Sequence, residues 1–386
     1  MEYNGKTNNP SGDENLLEHL LPPEDITDVM VLFYIEHFER IHRLVHIPTF
    51  KKEYAHFRVS RRPRCTAMTA LVLLMISISS CISVSSNTST PIPSTYRTMA
   101  VQWISVCEMW LMQQSSKHRK IVYYQVSCLV YLAKRMNIIK NKVFWKDTSF
   151  LVQNAILDGL NCDPSVNVDN PYMREMKKLI WTVLCELDLQ SSFDYGFPTL
   201  LHNIDSNVAA SANLDDEDFD EASEVLPLPK PLSQYTRASH QSHSSRSWSL
   251  RLEISRRLFS TGFPKTLSYD DVLRYTHEIT QEIHSLPPWD IDIVQGDNGR
   301  KFLILTYAFL RCQLTECILA IHRPYLQRDD NKFWLSENVC YHMSRDILPL
   351  NSKLAVLGIQ SLTLVREDLL LASLNLSHII MLQRKD

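Results

Sequence analysis

The sequence predicts an all-α protein: a large multi-helix body carrying a disordered Pro/Ser-rich insertion. Three observations carry that expectation. Glycine is scarce, 8 in 386 residues, whereas sheet-rich and dinucleotide-binding folds need it at tight turns and close backbone approaches. Apolar residues recur in steps of three and four along much of the chain instead of alternating. Hydrophobic residues make up 45%, enough to bury a substantial core and to exclude wholesale disorder. The length suits two or three ordinary domains or one large helical body. A net charge of −3 supplies no global basic field for nucleic acid. Residues 1–25 are polar and acidic with no apolar core, so no secretion signal is expected. Nine cysteines, without a repeating spacing, fit a reducing compartment and buried free thiols.

The elements follow in order. Pro22-Pro23 opens the first ordered one, and Ile26, Val29, Leu32, Phe33, Phe38, Ile41, Leu44 and Val45 keep mostly helical intervals until Pro48, which should stop the helix. Cys65–Tyr96 contains no charged residue, and Ala67–Val84, preceded by the basic RRPR of Arg61–Arg64, has the length and flank of a membrane span. Ser77, Ser79, Ser80 and Ser83 interrupt it and no second such segment exists, so a buried core helix is expected; a membrane-anchored regulator is the lesser alternative. Ser85–Thr95 has the composition of a linker. Met99 to Trp110 and Gln125 to Met136 are helices by spacing, and Gly159 should close the helix after Val152 by taking a left-handed conformation. The helix from Asn170 to Gln190 has the clearest definition. Asn170 can cap it, Pro171 can sit at its first position, and Met173, Met176, Ile180, Val183 and Leu187 form one stripe, with Arg174, Lys177 and Lys178 off it. LPLPKPL (Leu226–Leu232) and then Ser233–Ser249, rich in Ser and His, suggest a disordered or loosely held connection. Helical character resumes near Leu250 and runs through Tyr269–Ser285 and Phe302–Leu319; the last stretch is weakly helical.

Several motifs carry a resemblance. FYIEHFERIHRLVHIPTF (Phe33–Phe50) is similar to a helix bearing "Y…FxxxHxxxPhhHxPTF", with Leu44 where a proline usually stands. VQNAILDGLNCDP (Val152–Pro164) is similar to "AVRLALDLGLHRDP". LDLQSSFDYGFP (Leu187–Pro198) fits "LDxxxSxxxGxP" and is followed by NLDDEDF (Asn213–Phe219). IHRPYL (Ile321–Leu326) is similar to "LxxxLHRPxL". In this order the motifs resemble the middle homology region of fungal transcription factors of the binuclear zinc-cluster family. The resemblance covers Leu21 to Asp220 well and Phe302 to Leu326 more thinly. It implies a flexible N-terminus over 1–20, the middle homology region over 21–225, a Pro/Ser-rich linker over 226–249, and the rest of the same helical region over 250–386.

Candidate chemistry is sparse. A binuclear zinc cluster needs six clustered thiolates. The cysteines at 65, 81, 107, 128, 162, 185, 312, 317 and 340 include no two within three residues, so this stretch cannot build one. Cys312 and Cys317 suggest buried structural thiols. His42 and His46 are four apart on a predicted helix, but Arg43, Leu44 and Val45 between them supply no carboxylate base, so packing is the expected role. His240 and His243 lie in the Ser-rich stretch. The acidic run Asp215, Asp216, Glu217, Asp218 and Asp220 raises the alternative of an all-α magnesium-dependent enzyme with a DDxxD-type box. The run follows a turn rather than lying in a long apolar helix, and Asp270-Asp271 lacks the partners of a second metal box. The expected role is a cap by Asn213 or an Asp, with the other acids solvated. Arg61–Arg64, Lys117–Lys120 and Arg256-Arg257 head no recognition helix and are not interleaved with aromatics. No catalytic, cofactor-binding or metal-ligating residue is therefore expected. The resemblance implies a nuclear transcriptional regulator of metabolic or secondary-metabolite genes. Without a cluster it would reach DNA only indirectly, through a DNA-binding partner protein such as a full-length family member, with a small-molecule effector and no membrane contact; the alternative is a truncated gene product.

Overall fold

A computed structural model describes residues 14–59, 64–81, 95–115, 117, 119–137, 143–163, 170–260, 267–289, 299–326, 333–359, 366 and 368–383. Among them the regular structure is helical throughout. The α-helices are α1 Glu14–His19, α2 Glu24–His37, α3 Glu39–His42, α4 Ile47–Val59, α5 Thr66–Ser79, α6 Thr95–Met112, α7 Ile121–Asn137 and α8 Val143–Leu157. They continue as α9 Pro171–Tyr195, α10 Ser239–Ser244, α11 Trp248–Phe259, α12 Tyr269–His284, α13 Arg300–His322, α14 Trp334–Val356 and α15 Asp368–Gln383. Two compact units result. One is Met1–Cys185, Ser206–Lys230 and Thr236–Ala238; the other is Glu186–Asp205, Pro231–Tyr235 and Ser239–Asp386. Their division falls inside α9.

The first unit is organised on α5, which packs against α1, α2, α6 and α7. Every residue from Ala67 to Ser79 is buried. Fourteen residues rise about 21 Å, short of a bilayer core about 30 Å thick. The hydroxyls that interrupt the apolar run find acceptors. Ser77 donates to the Leu73 carbonyl at 2.8 Å, and Ser79 reaches the Met30 carbonyl of α2 at 2.8 Å. Residues 82–84 of the expected core helix, and most of the expected linker at 85–95, lie outside the described residues; Thr95 already begins α6. The expected flexible N-terminus is helical from Glu14, with Leu17 buried. Residues 1–13 lie outside the description.

Helix α9 forms as its caps dictate. Asn170 Oδ1 accepts the Met173 N–H at 2.8 Å, Pro171 occupies the first position, and Gly196 takes φ 69° just beyond its end. Gly159 likewise closes α8 at φ 74°. Met176, Ile180, Val183 and Leu187 are buried, while Arg174, Lys177 and Lys178 are not.

In the second unit α12 shows the plainest amphipathic stripe: Val272, Tyr275, Ile279 and Ile283, stepping by three and four, pack with Ile254, Leu314, Ile318 and Ile321. Helix α13 touches α10, α11, α12 and α14. The span Lys301–Tyr325 is long and apolar enough to cross a membrane by length and composition, yet 72% of its apolar window is buried by protein.

The Ser/His-rich stretch departs from expectation. Around Val225 to Leu232 the chain has no regular structure, and Leu228 is 91% exposed. Ser239 to Ser249 is instead helical, and Ser239, His240, Gln241, Ser242, His243 and Ser244 are buried. The reason is a polar network. Arg251 of α11 grips Glu186 with two N–H bonds of 2.9 and 2.7 Å, and Ser244 donates to Glu186 at 2.6 Å. Gln313 of α13 donates to the same carboxylate at 2.6 Å. Burial alone would raise the Glu186 pKa; the Arg251 charge outweighs it and holds the carboxyl below its ordinary value. His243 donates from Nε2 to the Leu232 carbonyl at 3.0 Å, and burial lowers the His240 pKa to about 4, leaving it neutral. Composition cannot reveal such order, because the partners lie 58 to 127 positions away.

Ile180 is fully buried in the first unit. Ile180→Asp loses about 2–5 kcal/mol of packing and adds an unpaired charge. It should therefore unfold this unit at room temperature in a circular-dichroism melt. Wild-type thermal stability in that variant would overturn the core assignment.

Candidate functional site

Two of the sequence motifs meet in the first unit. Helix α2 ends at His37, α3 adds one turn, and Arg43 then takes the left-handed conformation, φ 43° and ψ 57°. Among the described residues it is the one non-glycine at positive φ, a conformation that costs an L-residue roughly 1–2 kcal/mol. Its environment holds it there. Its N–H bonds the Glu39 carbonyl at 2.9 Å, while its guanidinium pairs with the Asp216 carboxylate and reaches the Leu214 carbonyl at 3.3 Å. The two charged side chains are 4% and 1% exposed.

Asp216 is the hub. Its Oδ1 takes Arg43, its Oδ2 accepts the Ile47 N–H at 2.9 Å, and its carbonyl accepts from His46 Nε2 at 2.7 Å. It thus caps α4 from 169 positions away, placing negative charge at a helix N-terminus. The His46 ring lies 5.1 Å from Tyr172, edge-on, and 5.0 Å from Phe219. Burial lowers its pKa, so it is a neutral packing residue. Behind Arg43, Glu39 is 1% exposed and accepts the Val45 N–H at 2.5 Å and the Tyr34 hydroxyl at 2.9 Å. Burial pushes its carboxyl up to about 8, against the pull of those two bonds. Gln125 of α7 donates to the Leu44 carbonyl at 2.6 Å, fixing the loop from a third side.

The rest of the acidic run is equally committed. Lys230 bridges Asp215 and Asp218 at 2.9 and 2.6 Å, and the Asp215 N–H donates to Asp218 at 2.9 Å. The Lys230 hydrogen bond, chiefly, holds the Asp218 carboxyl below its ordinary value. Glu217 pairs with Arg237 at 3.3 Å, and Asp220 accepts from the Ala222 N–H at 3.0 Å. Asn213 accepts the Thr236 hydroxyl at 2.6 Å. Among the described residues no group of three or more His, Cys, Asp or Glu could hold a metal ion. The arrangement is a lock between chain segments, with its carboxylates filled by guanidinium, ammonium and amide donors.

The other motifs are locks too. Asp188 accepts the Thr199 hydroxyl, and Ser192 donates to the Phe197 carbonyl at 2.6 Å, closing the turn at Gly196. His322 spans Thr276 at 2.8 Å and Ser336 at 2.9 Å, and burial lowers its pKa to about 4.

Comparison with known proteins finds relatives over most of the chain. Transcription factor opdR of Penicillium oxalicum is 30% identical over 329 residues, 83% of this chain and 41% of that protein. Transcription factor lepE of Aspergillus flavus is 28% identical, over 95% of this chain and 44% of its own. The Zn(2)-C6 fungal-type transcription factor pigI of Monascus ruber is 23% identical over 87% of this chain and 41% of its own length. These 386 residues are a fungal transcription-factor-like region. All three relatives bear the name of transcription factors. The chain spans less than half the length of each. No family model matches the chain, and no solved structure does.

Several sequence-level expectations for this transcription-factor-like region change. His42 and His46 do not share a helix face, because the helix breaks between them at Arg43; Pro48 lies in the first turn of α4 rather than ending a helix. Asp216 is buried where solvation was expected, and Asp215 precedes the short turn Asp216–Asp218 as its cap residue. Cys312 and Cys317 are buried thiols outside any disulfide, as expected, while Cys162 is exposed. Nothing in the local pattern singles out Arg43, Glu39 or Gln125. Asp-rich and His-containing motifs drew attention, but their partners are generic residues distant in sequence.

Glu39 carries a pH signature. Its folded pKa of about 8 exceeds the ordinary 4.5, so its contribution to stability is complete below about 4.5 and declines as pH rises towards 8. Glu39→Gln stays uncharged throughout. Relative to wild type, its melting temperature should rise between pH 5 and 8 by roughly 5 °C or more. Parallel melting curves across that range would contradict the assignment.

Proposed function

We propose that this helical region is the regulatory body of a nuclear fungal transcription regulator that controls secondary-metabolite or other metabolic genes. The observation that carries the reading is the match of 83% and 95% of the chain to two proteins named as transcription factors. Others bear the names pyrrolocin cluster transcription factor and aspyridones cluster regulator. The buried junction adds physical support, because it ties together the two motifs on which the resemblance rests.

DNA is reached through a partner protein carrying the recognition module, such as a full-length relative, and a small-molecule effector tunes the contact. The described basic residues favour this division of labour. Arg64 pairs with Glu18 and Glu24, Arg256 with Glu253 and Arg257 with Asp271. Cations neutralised within the protein offer little counterion release on a duplex, and sequence readout needs several side chains at base edges.

A mobility-shift titration of the purified 386-residue chain, on promoters flanking its gene and at physiological salt, tests the division. The chain alone should give no sequence-selective shift, and adding a full-length relative should produce a shift that the chain retards further. A sequence-selective nanomolar complex from the chain alone would contradict partner dependence.

A further inference from the structure

The first unit holds a cavity of about 450 Å³ between α6, α7 and α8, within the range of small-molecule sites. Its floor is one face of α7. Tyr123, Ser127, Val130, Tyr131 and Lys134 line it, at i, i+4, i+7, i+8 and i+11, a stripe about 16 Å long. Leu111 and Met112 of α6 form one wall, and Phe150 and Leu151 of α8 the other. Met112 is 83% exposed and Phe150 59%. Two large apolar side chains thus stand at the rim of an apolar trough, which a ligand would cover.

The two ends differ chemically. At one, Lys134 donates to Glu108 of α6 and to Asp147 of α8, 3.0 Å each. This strut sets the separation of the walls, and two carboxylates sharing one ammonium leave acceptor capacity and surplus negative charge. At the other end Arg119 lies 5.0 Å over the Tyr123 ring and 3.5 Å from Asp158. A guanidinium presents five donors, more than its contacts with Asp158 and Tyr124 use.

We infer that this cavity is the effector site of the regulatory region. Its ligand is a small amphipathic compound with a flat, ring-bearing apolar body. An acidic or carbonyl oxygen faces Arg119, and a hydroxyl or amine faces the Glu108–Asp147 end. The inference rests on the regulator reading for its purpose and on the cavity alone for its chemistry. Helix α7 also gives the site a route to the motif junction, since its opposite face carries Gln125, bonded to the Leu44 carbonyl beside Arg43.

The test uses 1-anilinonaphthalene-8-sulfonate, a ring-bearing apolar probe with an anionic oxygen group, titrated by fluorescence into the folded 386-residue protein. Wild type should bind one equivalent saturably. Arg119→Gln, which removes the anion partner, and Val130→Trp, which fills the floor, should each weaken binding at least tenfold. Phe150→Glu changes an exposed side chain, so it keeps the fold if Val130→Trp does not, and it should weaken binding similarly. Leu228→Glu, at an exposed position elsewhere, should bind as wild type does. Non-saturable binding, or Arg119→Gln and Phe150→Glu variants that bind like wild type, would overturn the site. That result leaves the regulator reading standing, because the mobility shift tests it separately; a failed mobility shift leaves saturable binding standing in turn.

Discussion

The first unit depends on one buried charge pair. Arg43 and Asp216 are 4% and 1% exposed, and desolvating two ions is recovered only when every remaining hydrogen-bonding position is filled. Here further bonds surround the pair. Arg43 adds the Leu214 carbonyl, Asp216 adds the Ile47 N–H, and the Asp216 carbonyl takes His46. The pair also holds Arg43 in a left-handed conformation that separates α3 from α4. Removing either partner leaves an uncompensated buried charge, about 3–5 kcal/mol. Replacing both with apolar residues would cost far less. The pair's worth therefore lies in specificity: it fixes which two segments meet, across 173 positions of sequence.

Much of the helical framework was legible because its causes are local. An Asn-Pro cap and a three–four stripe define α9 within its own sequence, and both signals act as expected, as does Gly159 at the end of α8. The apolar run of α5 was legible as a core helix for a similar reason, its serines being able to return to carbonyls one turn back. The break at Arg43 was not. Nothing in IHRLVH marks the arginine for positive φ, and proline at 48 drew the expected stop to the wrong residue. Nor could the acidic run be resolved internally. Asp215 and Asp216 are neighbours of the same type, yet one pairs with Lys230 at the surface and the other is the buried hub. The difference arises from what packs over each.

The Ser/His-rich stretch teaches the same lesson from the other side. Its composition resembles a solvated linker, but Glu186 and Arg251 supply a buried ion pair whose remaining hydrogen-bonding capacity calls for hydroxyl and amide partners, and Ser244 and Gln313 meet it. Polar residues are ordered here by a charge network, which no propensity scale registers. In both units, motifs that look like chemistry prove to be fasteners. That suits the regulatory body proposed above, which would hold a defined surface and respond when something binds.

The central claim is that Arg43 and Asp216 act as one unit joining the two motifs. A double-mutant cycle in chemical denaturation tests it directly, using Arg43→Met, Asp216→Leu and the double variant. The account predicts that each single change costs about 3–5 kcal/mol and the double change clearly less than their sum, a coupling of at least about 2 kcal/mol. Additive losses, with coupling under about 0.5 kcal/mol, would show that the two residues stabilise the protein independently and would contradict the account.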